Sequence, residues 1–152
     1  MEFPYTKVLY FLKHQKESRL LPWARIGIYN PKNPEKVIYL LGLINSGADL
    51  TMINREIGEN LDYTIENGQE TELKGLGGGT ILGYFHKVGY LIEDPDSPKN
   101  NIKYLGCAAF TKNIFPNSYP QQTAIFGTID FFSNLMVTFI YPKKIVIGTV
   151  FS

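Results

Sequence analysis

A single cysteine, Cys107, and only two histidines, His14 and His86, occur among the 152 residues. One cysteine cannot close an internal disulfide, which suits a reducing compartment. Its neighbours in "LGCAAF" are apolar, so Cys107 reads as a buried structural thiol. A nucleophilic role would need a histidine partner, and neither histidine sits in a catalytic context. An excess of one charge is missing too: 15 basic and 14 acidic residues are scattered to a net +1. That excludes the electrostatic footprint of a nucleic-acid or anionic-membrane binder. The longest apolar run, "VIYLLGLI", falls far short of the roughly 20 residues that span a bilayer. The opening "MEFPYTKVLYFLKHQ" lacks the basic start, apolar core and small-residue cleavage site of a secretory signal. The expectation is a soluble, cytoplasmic protein that uses no cofactor or metal.

Fourteen glycines and nine prolines, with ten Tyr and ten Phe, favour many short strands over a few long helices. Seven segments read as strands: "TKVLYFL", "WARIGIY", "KVIYLLGLI", "TILGYFHKVGYLIE", "IKYLGCAAF", "LMVTFIY" and "KKIVIGTVF". Turn clusters divide them, with "YNPKNPEKV" a hairpin and "YPKK" a tight turn. "KHQKESR" (13–19) mixes signs and reads as a solvated face or loop. Helix signals are few. "INREIGENLDY" places Ile53, Ile57 and Leu61 on one face behind Asn54 as an N-cap, and "TIDFFSNLM" holds two turns at most. No linker or repeat divides residues 1–152, so one mainly β domain with one or two short helices is expected.

Three features follow one another along this frame. An apolar strand runs into Asn45-Ser46-Gly47-Ala48-Asp49; a glycine-rich turn follows in "KGLGGGTILG"; and Ile125-Phe126-Gly127 leads into "TIDFFSNL". In this order the chain resembles the retropepsin-like aspartic proteases, most closely their small stand-alone bacterial members. "LINSGADLTMI" is similar to the active-site loop, "LKGLGGG" to the flap tip, and "AIFGTIDFF" to the step into the helix. The resemblance covers about residues 22–140, with a C-terminal hairpin at 136–151.

The resemblance implies a closed β-barrel and a homodimeric endopeptidase acting on peptide or protein substrates. Hydrolysis by that route needs a water held between two carboxyl groups that share one proton, since two such close charges cannot both ionise. A chain with one such loop supplies half a site, and a two-fold axis supplies the rest. Asn45, Ser46 and Gly47 then occupy the catalytic loop. Ala48, Asp49 and the flap residues Gly75, Leu76, Gly77, Gly78 and Gly79 face the substrate, which pairs with the flap by strand addition. Two plainer readings stay open: Asp49 as a brace of its own turn, and the glycine turn as a hairpin without function. A phosphate-gripping loop is disfavoured, because no Gly-Lys-Ser/Thr ending follows.

Two departures stand out. Thr128 follows Gly127 where retroviral members carry an arginine that braces the loop, a role open to Arg25 or Arg19. And Asn45 stands where the family has its catalytic Asp. An amide keeps the shape of the acid but cannot take up a proton at any useful pH. The chain as written is therefore expected to be inactive. Retention of the surrounding loop and flap residues favours an introduced Asp→Asn change. The alternative is a natural non-catalytic module for peptide binding or dimerisation.

Overall fold

The computed structural model describes residues 1–12, 15–74, 78–113 and 122–150. Strands dominate: β1 (Glu2–Pro4), β2 (Thr6–Leu12), β3 (Gln15–Leu21), β4 (Trp23–Asn30), β5 (Asn33–Ile44) and β6 (Met52–Ile53) come first. After helix α1 (Arg55–Asn60) follow β7 (Gln69–Lys74), β8 (Thr80–Ile92), β9 (Ile102–Thr111) and β10 (Ala124–Phe126). A kinked helical segment, α2 (Thr128–Phe132), leads to β11 (Leu135–Ile140) and β12 (Lys144–Thr149).

Six strands close a mixed barrel in the order β4-β5-β10-β6-β9-β8, the last returning to β4. The β5–β10 and β6–β9 pairs are parallel and the others antiparallel. Strand alternation fills the interior. Ala24, Ile26 and Ile28 point inward from β4, Val88, Tyr90 and Ile92 from β8, and Ala108 and Phe110 from β9. At the inward position Gly42 a Cβ would sit 2.2 Å from the Phe126 ring, so the aromatic fills the space the glycine leaves. β7 extends the sheet beyond β8, leaving its other edge unpaired among the described residues. A separate sheet, β1-β12-β11, plugs one side of the core through Leu135, Ile145 and Ile147.

Several expectations change. The polar "KHQKESR" region supplies β3, whose residues pair with β2 while their side chains stay exposed or half-buried. Ile53 belongs to β6 and not to the helix, because its backbone pairs with Ala124 and Phe110. Asn54 precedes α1 without a side-chain cap bond, and its buried Oδ1 finds no partner among the described residues. Cys107 is exposed. Its place opposite Lys87 puts it on the outer face of the β8–β9 ladder, while His86, opposite Ala108, points the other way. The two cannot act together, and partial desolvation of the exposed side chain, with the nearby Asp130 carboxylate, pushes the thiol pKa up, away from a nucleophilic thiolate.

Candidate active site

The loop of residues 45–51 leaves the end of β5 and returns as β6, and β10 runs between those two strands, paired with both. This wrap fixes the loop. Asn45 N–H donates to Phe126 O (3.0 Å), and Ala48 N–H closes the turn onto Asn45 O (3.1 Å). The Asn45 side chain folds back as well, its Oδ1 accepting the Gly47 N–H at 3.0 Å. Gly47 eases that approach: a Cβ there would lie 3.2 Å from Oδ1, a tight contact. Its φ lies outside the left-handed region, which among the described glycines only Gly78 occupies (φ 85°).

The far side of the loop is tied to the segment after β10. Gly127 N–H donates to the buried Thr51 Oγ1 (3.1 Å). At Gly127 a Cβ would meet Leu50 O at 2.3 Å and Ala48 O at 2.7 Å, so only glycine lets the two backbones touch. Thr128 then donates twice to Ala48 O, from its N–H at 2.8 Å and its Oγ1 at 3.1 Å, and Ile129 N–H donates to Asp49 O at 2.9 Å. Thr128 is thus a neutral brace where an arginine was expected. Arg25 is engaged elsewhere, 4.0 Å above the Tyr39 ring and 3.8 Å from Glu93, and Arg19 lies in β3 opposite Val8. Thr128→Val keeps the shape and the backbone bond but removes the hydroxyl donor. Urea unfolding should register a loss of about 1 kcal/mol or less, since the group is exposed.

The helical segment that follows is not a regular helix. Ile129 is extended and Asp130 adopts φ 64°, a left-handed turn that aims its Oδ2 at the Cys107 N–H, 2.7 Å away. Gly106 sits beneath this turn, where a Cβ would be 3.0 Å from the Asp130 Cβ. Asp130 therefore pins the end of the step to β9. Sequence reading placed at most two helical turns here, with Thr128 or Asp130 near their start, and did not foresee that the carboxylate reaches β9. Deep burial holds the neighbouring Tyr90 and Tyr104 phenols protonated well beyond their ordinary range.

These parts enclose one open cleft of about 1160 Å³. Asn45, Gly47, Ala48, Asp49 and Leu50 line it from the loop, Ile125, Thr128 and Ile129 from the step, and residues 71–74 with Gly79, Thr80 and Ile81 from the β7–β8 hairpin. Its floor rests on a small apolar cluster in which Leu73, Ile81 and Ile125 pack on Met52 and Ala109. Ser46 is exposed at the loop apex, and the Asp49 side chain is exposed on the cleft wall. Gly78 and Gly79 are exposed at the start of the returning hairpin strand, while Gly75, Leu76 and Gly77 lie outside the described residues. Among the described residues no group of three or more His, Cys, Asp or Glu side chains could hold a metal ion. No protein-family model, curated protein or solved structure matches the chain.

Proposed function

We propose that the protein is a retropepsin-like aspartic endopeptidase scaffold, homodimeric, with its catalysis switched off by Asn45. One observation carries the reading. Residues 45–49, 78–79 and 125–128 are distant in sequence, and all but Ser46, Gly78, Phe126 and Gly127 line the same cleft. The loop wrapped around β10 presents the position-45 side chain there, and the β7–β8 hairpin lines it with a strand whose other edge is unpaired among the described residues, an edge suited to an extended peptide.

In the acid form of such a site, a carboxylate at position 45 would accept the Gly47 N–H as the amide oxygen now does. A second copy across the two-fold axis would share its proton and hold the attacking water. Asn45 supplies shape and hydrogen bonds but no proton transfer, so the chain as it stands binds peptide without cutting it. A non-catalytic peptide-binding module is the second reading, favoured by the amide itself.

The geometric test is a crosslink. Disulfides form only when the two Cα atoms come within about 7 Å. In a Cys107→Ser background, which removes the only native thiol, Asn45→Cys is expected to oxidise to a covalent dimer on a non-reducing gel. A variant that stays monomeric under oxidant, while folded by circular dichroism, would remove the paired site.

A further inference from the structure

We propose that Asn45 is a self-modification site: spontaneous deamidation converts it to the acid and so switches on the site that the amide keeps silent. The inference deepens the reading above and rests on position 45 being half of an acid pair.

The chemistry needs only the chain and water. The backbone nitrogen of Ser46 attacks Cγ of Asn45, forming an N–Cγ bond. The Cγ–Nδ2 bond breaks, and Nδ2 leaves as ammonia with the proton that Ser46 N gives up. The product is a five-membered succinimide. Water then opens the ring: its hydroxyl joins one imide carbonyl carbon and its proton returns to nitrogen. Opening at Cγ gives aspartate, and opening at the main-chain carbonyl gives isoaspartate. Nothing is oxidised or reduced.

The loop favours the first step in three ways. Ser46 is small and exposed at the apex of the turn, so its amide is open to the solvent bases that must take its proton. Among the described residues no acceptor holds the Ser46 N–H. And Gly47 N–H donates to Asn45 Oδ1 at 3.0 Å, which draws electron density from Cγ and makes it more electrophilic. That hydrogen bond also closes a ring containing both Cγ of Asn45 and N of Ser46, the two atoms that must join.

The chain carries its own comparison. Asn67-Gly68 is the sterically easier pair, since glycine leaves its nitrogen least hindered. In the fold, however, Gly68 N–H is committed to Ile65 O at 3.2 Å, and the residue is wedged where a Cβ would lie 2.3 Å from Phe85 O. Sequence alone ranks Asn67 first; the structure reverses the order.

The test ages the purified full-length chain at mildly alkaline pH and body temperature. Peptide mapping by mass spectrometry reads amide-to-acid conversion at every asparagine, and the same aliquots are assayed on a peptide library. Position 45 is expected to convert ahead of Asn67. Pepstatin-sensitive cleavage should appear from zero and rise as the square of the aspartate fraction at position 45, because both subunits need the acid. Asn45→Gln, whose longer side chain closes the ring far more slowly, should stay amidated and inactive.

An unconverted Asn45, beside a synthetic peptide of residues 42–49 that converts under the same conditions, overturns the proposal. So does an aged chain that holds aspartate at position 45 without activity while freshly made Asn45→Asp is active. Inactivity of both overturns the activation and the protease reading together, which separates the two failures.

Discussion

If the proposed acid pair forms, Asn45→Asp is expected to yield a peptidase where the Asn45 chain cuts nothing. A general acid or base contributes about 10²–10⁴-fold to rate, and in the proposed dimeric site this one substitution would supply both roles, the two copies sharing one proton. The gain over Asn45 should therefore be on the order of 10⁴-fold or more, read as initial rate on a broad peptide library. Local structure offers no obstacle. The substitution replaces an NH₂ by an oxygen of nearly the same size, and the bond from Gly47 N–H to Oδ1 survives. The pair should titrate as a unit, one group held acidic by its hydrogen bonds and its partner raised by like charge. Activity then follows a bell on the acidic to neutral side and is abolished by pepstatin. Loss of either shoulder as the acids titrate fully up or down follows from the shared proton. A folded, dimeric Asn45→Asp protein that cuts nothing would leave the peptide-binding module as the better account of the site.

The parts of this design that were legible in advance are those where one side chain type answers to one physical demand. Richness in β-branched and aromatic residues reveals β4, β8 and β9, most of whose side chains are buried or half-buried. Gly127 was legible as part of a step, and the structure adds the reason: two carbonyls lie where its Cβ would be. Strands β3 and β7 left no such trace. The side chains of β3 are exposed or half-buried, and β7 alternates exposed polar residues with half-buried Thr71 and Leu73. Their pairing rests on backbone hydrogen bonds that any sequence can make.

Ile53 was drawn to the helix by its spacing to Ile57 and Leu61, yet a parallel neighbour claimed its backbone for β6. Periodicity cannot weigh that competition. Cys107 misled in another way. Its flanking residues alternate in and out, so apolar neighbours in sequence include Leu105 on the same outer face, itself exposed. The missing arginine was a question the sequence could pose but not answer, since Thr128 meets the need with a hydroxyl and its own amide.

Gly42 and Phe126 should behave as one unit, so that the two single losses sum to more than the loss in the double variant. The two lie on neighbouring parallel strands, with Ala124 opposite Gly42 and Phe126 opposite Ile44. Phe126 is fully buried, and its ring packs 4.8 Å from that of Phe131. Phe126→Ala removes that ring from a closed core and should cost about 3–5 kcal/mol in denaturant unfolding. Gly42→Ala places a methyl 2.2 Å from one ring carbon and 2.7 Å from the next, with the Ala124 Cβ at 3.1 Å preventing a sideways escape. Overpacking of that kind costs about 1–3 kcal/mol.

In the double variant the new methyl enters the space that the ring has vacated. The combined loss should fall short of the sum by about 1–2 kcal/mol, within the range of couplings between touching residues. Simple additivity would mean that the ring does not occupy the Gly42 site. The consequence reaches the cleft, because Phe126 O is the acceptor for Asn45 N–H and the next residue, Gly127, carries the loop's other anchor. In an Asn45→Asp background, Gly42→Ala should therefore lower kcat well before it unfolds the protein. A ring pushed off its seat moves the strand that holds position 45, and two acids that must share one proton tolerate little displacement.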